Sequence, residues 1–309
     1  MRLFEPFRFS AFGSDNRIVL SGENEPAPVP SLAGLTITPR LNVEAGAAPV
    51  QGWRPAVEAV RRAGGRIVLQ LSHPGRVSHP LLRAGAQLVA PSALAGRGTI
   101  DTPEGPQPLP VPRALEREDI AALVEQFAAA AALAQAEGFD GVEIHAAQGW
   151  LIDQFLRTGS NRREDDYGGS LSGRTRFLLE VAEAVSAVWG VGRVGVRVSP
   201  WSADHGMADG EPLETFTHVA AELDQLGVAW LHLVEPWRRK ASVLGQLRSH
   251  FGGAVIAAGD HTPQSAEEVI AEGLADCIAF DAAGLAALVP DAGLRPDAPI
   301  SPVCSVRGF

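Results

Sequence analysis

Short runs of β-branched and aliphatic residues alternate along this chain with longer stretches whose apolar positions recur every three or four residues. The short runs read as strands buried on both faces, and the longer stretches as amphipathic helices. Strands are predicted over Asn16–Ser21, Leu35–Thr38, Arg66–Gln70, Gly141–His145, Arg193–Ser199, Trp230–Val234, Ala254–Ala258 and Asp276–Phe280. Helices are predicted over Gln51–Ala63, Glu116–Glu137, Leu171–Trp189, Glu211–Leu226 and Pro263–Glu272. Gly138 stops the second of these, and Thr262-Pro263 supplies a cap and a first-turn proline for the last. Eight strands alternating with helices along most of the length predict an α/β fold, a closed (β/α)8 TIM barrel.

Two stretches break the rhythm. Gly22–Ala33 holds Pro26, Pro28 and Pro30, so the first helix of the barrel is expected to be shortened or missing. Ser72–Pro112, rich in Gly and Pro, is too long for a plain connection and is expected to form a lid or hairpin cap. No repeat and no linker divides the chain, so residues 1–309 are expected to form a single domain.

Composition narrows the function classes. The chain is 46% hydrophobic and 20% charged, enough for a large core, and its net charge of −10 disfavours nucleic acid and anionic membranes. No apolar run approaches a membrane span, and Met1–Pro6 lacks the basic-then-apolar order of a signal peptide. A cytoplasmic location is expected, with a small molecule as partner and the oligomeric state, homo-oligomer included, left open. Cys277 and Cys304 are too few for a disulfide framework, and His73 and His79 have no third ligand nearby, so no metal is expected.

The densest chemistry runs from Gly138 to Ser170, in HAAQGW followed by NRREDDYGGS. With NRIVL near the N-terminus, GGRIVLQLSHPGR, GRTRFLLEVAEAV and AVIAAGDHTPQSAEEVI, this block resembles the old yellow enzyme family of FMN-dependent ene-reductases. The likeness extends over most of the chain and implies a TIM barrel with its site at the C-terminal strand ends. It implies that His145 and Gln148 donate hydrogen bonds to a substrate carbonyl, and that Gln70 and Arg197 contact the flavin ring. Trp150 stands where the family has a tyrosine proton donor. At the places of the family's phosphate clamp, the Gly-Gly and Gly-Arg pairs are replaced by Gly259-Asp260 and Asp281-Ala282.

Two carboxylates at ~5 Å and an effective dielectric of ~20 would each repel a phosphate charge by about 3 kcal/mol. A micromolar cofactor is held by only about 8 kcal/mol. With the tyrosine proton donor, the phosphate anchor and the first helix all departing from the family pattern, no cofactor is expected, and the chain reads as a flavin-independent isomerase or cyclase acting on a carbonyl-bearing small molecule, of the polyketide-tailoring kind. His145, Gln148, Glu235 and His73 are its expected catalytic groups. Gln70, Trp150, Arg197, Trp201 and Trp237 are its expected substrate contacts. The alternatives are an FMN-dependent NAD(P)H ene-reductase, with Gln70, Arg197 and Gly259 holding FMN, and a non-catalytic binding relative.

Overall fold

The eight predicted strands all form, and each pairs in parallel with its neighbours in sequence until the last closes on the first. They are β1 (Ile18–Ser21), β2 (Leu35–Asn42), β3 (Arg66–Ser72), β4 (Gly141–Ala146), β5 (Val194–Val198), β6 (Trp230–Val234), β7 (Ala254–Ala258) and β8 (Cys277–Phe280). The computed structural model describes residues 1–22, 32–45, 50–236 and 242–288. The segment in which the first helix was expected to be lost falls mostly at 23–31, outside the described residues.

Only β2 differs much from its predicted span. Its pairing with β3 slips between Ile37 and Arg40, where Pro39 has no N–H to give, and then resumes to Asn42. The bulge lets the strand outlast its proline, so Arg40 belongs to the barrel wall.

The helices form an outer ring: α1 (Arg54–Arg62), α2 (Arg117–Glu137), α3 (Leu151–Leu156), α4 (Leu171–Trp189), α5 (Pro212–Leu226), α6 (Leu244–His250), α7 (Pro263–Ala271) and α8 (Ala282–Leu288). Gly138 ends α2 in a left-handed cap, and Thr262 with Ser265 forms a capping box for α7. The long 72–112 connection carries an antiparallel hairpin, Thr99–Thr102 with Gly105–Pro108. It also returns a short parallel pairing of Val89–Ala90 with Arg113–Ala114. No helix among the described residues is long and apolar enough to cross a membrane.

Period-two alternation sorts each strand between two cores. On β4, Val142, Ile144 and Ala146 face outward and join Phe127 of α2 and Phe177 of α4 in the larger cluster. Inside the barrel, Val19, Leu35, Ile37, Val68, Trp230, Ile256 and Cys277 form a second, apolar cluster with Phe9 and Phe12. Those two phenylalanines stack at 5.1 Å and meet the Trp230 indole edge-on at 5.9 and 6.1 Å. The indole takes space that glycines leave: a Cβ on Gly195 would lie 1.9 Å from Trp230 Cε2, and one on Gly141 3.4 Å from Cη2. The N-terminal end of the barrel is thus filled.

Candidate active site

Above that apolar floor the inward positions turn polar. Gln70, Glu143, His145, Arg197 and His232 are all buried, on four adjacent strands, β3 to β6. Glu143 is fully buried and accepts from Gln70 Nε2 at 2.8 Å and Trp230 Nε1 at 2.9 Å. His232 Nδ1 stands 3.1 Å from the second carboxylate oxygen. Burial by itself raises a carboxyl, but His232, Arg197 and the Trp230 N–H outweigh it and hold Glu143 below the usual carboxylate range. Arg197 Nη1 crosses the mouth from β5 to Ser21 Oγ on β1, at 2.8 Å.

His145 is 1% exposed, and neither ring nitrogen has a hydrogen-bond partner among the described residues. Burial, reinforced by the charges of Arg197, Arg40 and His232, pushes its pKa well below the usual imidazole value. The ring is therefore neutral at pH 7, with one N–H to donate and no acceptor for it among the described residues. Trp150 meets it edge-on at 5.7 Å, and Arg40 lies over the Trp150 ring at 4.6 Å. Gln148 adopts a left-handed backbone, φ 54°, and its N–H donates to Ser199 Oγ at 2.7 Å.

An ion pair beneath these loops holds them. Asp153 and Arg157, one turn apart at the end of α3 and almost fully buried, pair at 2.7 Å. Asp153 also accepts from Gly149 N at 2.9 Å, and Arg157 donates to the carbonyls of Ser199, Pro200 and Ser202. The β4 and β5 loops are therefore tied to one pair of charges.

The other expected catalytic groups have structural partners. His73 Nδ1 accepts from Gly75 N at 2.9 Å while Nε2 stands 3.0 Å from Glu44, which also pairs with Arg83. With Nδ1 accepting from Gly75, the ring proton sits on Nε2, on the side of Glu44. Glu235 accepts from Ser242 Oγ and Val243 N, and so caps the start of α6. Trp201 is half-buried and packs on the outer core. Gly259 lies exposed at the end of β7, and Trp237 falls outside the described residues. Glu143, His232 and Arg40 went unnoticed in the sequence. Among the described residues, no group of three or more His, Cys, Asp or Glu side chains is placed to hold a metal ion.

Residues 34–287 match the model of the NADH:flavin oxidoreductase / NADH oxidase family. The chain belongs to this family. As an NADH:flavin oxidoreductase family member it is 36% identical over 238 residues to putative 12-oxophytodienoate reductase-like protein 1 of Arabidopsis thaliana, covering 75% of this chain and 72% of that protein. It is 37% identical over 245 residues to a probable flavin mononucleotide-dependent alkene reductase of Leishmania infantum, covering 77% and 67%. Its fold superposes on morphinone reductase in complex with tetrahydroNAD with a TM-score of 0.84, at 38% identity, over 91% of this chain and 86% of that one. The old yellow enzyme homologue from Zymomonas mobilis gives 0.86 at 33% identity, over 91% and 88%.

These matches overturn two expectations, the flavin-independent isomerase or cyclase and the absence of a cofactor. The family is one of flavin oxidoreductases, and a relative is named for its flavin mononucleotide dependence. The arithmetic behind the expectation also fails physically. Asp260 and Asp281 are both exposed, and Asp281 Oδ1 accepts from Gly284 N of its own helix at 2.7 Å. In water-like dielectric a carboxylate at ~5 Å repels a unit charge by about 0.8 kcal/mol, not 3. At the other end of the site, the fit to a flavin ring rests on the unpartnered His145 nitrogens beside the Gln70 amide and the Arg197 guanidinium.

Proposed function

We propose that this chain, as one barrel domain spanning 1–309, is an FMN-dependent ene-reductase that uses NAD(P)H to reduce a carbon–carbon double bond conjugated to a carbonyl. The observation that carries the reading is His145: a buried, neutral imidazole with both nitrogens unpartnered, at the C-terminal mouth of a barrel of this family. Such a ring offers a hydrogen bond to an oxygen that gains negative charge, without the pull of a permanent cation. Gln148, three residues on, adds an amide that can donate to the same oxygen. The Asp153–Arg157 pair holds the loop that carries Gln148, so the donors are set before substrate arrives.

Gln70 and Arg197 are the residues that would hold the ring of the cofactor, and bound FMN would supply the hydride-carrying chemistry between NAD(P)H and the alkene. Trp150 and Arg40 form the wall beside His145, where they orient a flat conjugated substrate and exclude water. Indole N–H is no acid at neutral pH, so Trp150 supplies no proton and the proton that completes the reduction comes from solvent.

The test is direct. Purified chain incubated with FMN and freed of excess should keep a flavin absorption band, and should oxidise NADH or NADPH when a cyclic enone is added. Protein that takes up FMN but leaves the enone unreduced with either nucleotide would refute the ene-reductase reading. Protein that takes up no FMN would refute the cofactor.

A further inference from the structure

The buried carboxylate of Glu143 decides which face of an amide the site shows its ligand. Glu143 is fully buried, and its oxygens are taken up by Gln70 Nε2, Trp230 Nε1 and His232 Nδ1. An ionised carboxylate has only acceptors, so every group that faces it must donate. For Gln70 this fixes the amide: the NH2 turns down to Glu143 and the carbonyl oxygen is what remains for a ligand. The backbone of Gln70 adds no freedom, since its N–H is held by Thr38 Oγ1 at 3.1 Å and its Cα sits in register with Glu143.

From this geometry we infer that Glu143 is a positioning residue for cofactor recognition, acting through Gln70 to present a hydrogen-bond acceptor and so to select a ligand edge that carries an N–H. The inference rests on the flavin reading above and deepens it. An isoalloxazine ring has one such donor, its imide N3–H, and methylation at N3 removes that donor while leaving the tail and the redox chemistry in place.

Glu143→Gln keeps the shape and changes the logic. The new side chain carries an NH2 of its own, so Gln70 turns its oxygen down to meet it and shows its NH2 to the ligand. Trp230 keeps one oxygen to donate to. The wild type should bind FMN about tenfold or more tighter than N3-methyl-FMN, the worth of one good hydrogen bond. In Glu143→Gln that ratio should fall to within about threefold of unity. Adding Glu143→Gln to Gln70→Leu should change nothing further, because the carboxylate acts through that amide. Glu143→Asp keeps an acceptor-only group but withdraws it by one methylene, and its ratio should fall part of the way.

Binding is read by flavin fluorescence quenching on the apoprotein, with near-ultraviolet circular dichroism as the check of packing. A wild type that binds FMN and a Glu143→Gln variant with the same ratio overturn this inference alone. If Glu143→Gln does not fold, an unchanged ratio in Glu143→Asp overturns it. A wild type that takes up no FMN overturns the flavin reading and this inference with it.

Discussion

Asp153→Ala is the most informative single change outside the catalytic groups. It leaves the Arg157 guanidinium buried without its counter-charge and leaves the Gly149 N–H without an acceptor. With charge centres ~4 Å apart and an effective dielectric of ~20, the lost attraction is about 4 kcal/mol. The unsatisfied amide adds about 1 kcal/mol, and relief from burying the carboxylate gives part of this back. Burial lifts the Asp153 carboxyl above its usual range even against Arg157, so that relief is real. The net expectation is about 3–5 kcal/mol, the range for breaking a buried pair by removing one partner. For 309 residues, an unfolding entropy of about 2.1 cal/mol/K per residue converts this to a Tm lower by roughly 5–8 °C. Thermal melts of wild type and variant, followed by circular dichroism, measure it. Limited proteolysis should show new cleavage in the β4 and β5 loops before global unfolding. A Tm within 1 °C of wild type would show that the pair does not tie the loops.

Three further changes probe the site and its surroundings. His145→Ala should cut turnover of an enone by about a hundredfold, the usual cost of one donor to a developing oxyanion, and should weaken binding of a phenolate inhibitor; unchanged values would remove His145 from the carbonyl site. Trp150→Tyr places an ionisable hydroxyl in the wall beside His145, and the step in which reduced enzyme meets enone, followed by stopped flow, should speed up by about tenfold or more; no gain would mean that the proton is not delivered from this side. Glu44, flanked by His73 and Arg83, has its pKa lowered to about 2 from 4.5, against the opposing pull of burial. The stabilisation is complete above pH 4.5 and is lost as pH falls towards 2. With solvent screening of this partly exposed group it amounts to about 1–2 kcal/mol, and Glu44→Gln should abolish that part of the acid dependence in urea melts.

The barrel was legible because its strands are short apolar runs set between amphipathic helices, and because caps such as Gly138 and Thr262 mark helix ends. The polar layer was not. Glu143 sits in a run whose two faces are both buried, so alternation could not say that it points into the barrel with Gln70 and His232. Arg40 was hidden by Pro39, which reads as the end of a strand and in fact sits at a bulge within one. His145 stood out through its motif, while Glu235 and His73 attracted attention as proton carriers without any sign of the cap and the ion pair that engage them. The cofactor is illegible for a plainer reason: the solvent exposure that leaves Asp260 and Asp281 little power to repel a phosphate cannot be read from two letters at a strand end.

The indole on the floor of the barrel sets a limit on redesign. Trp230 occupies room left by Gly141 and Gly195, and its N–H is committed to Glu143 directly above. Shrinking it alone would open a void and take from Glu143 one of its three partners, and a side chain added at Gly195 would collide with the ring. Bulkier substrates must therefore be accommodated at the rim, because the base of this cup changes only when the indole, its flanking glycines and the acid are exchanged together.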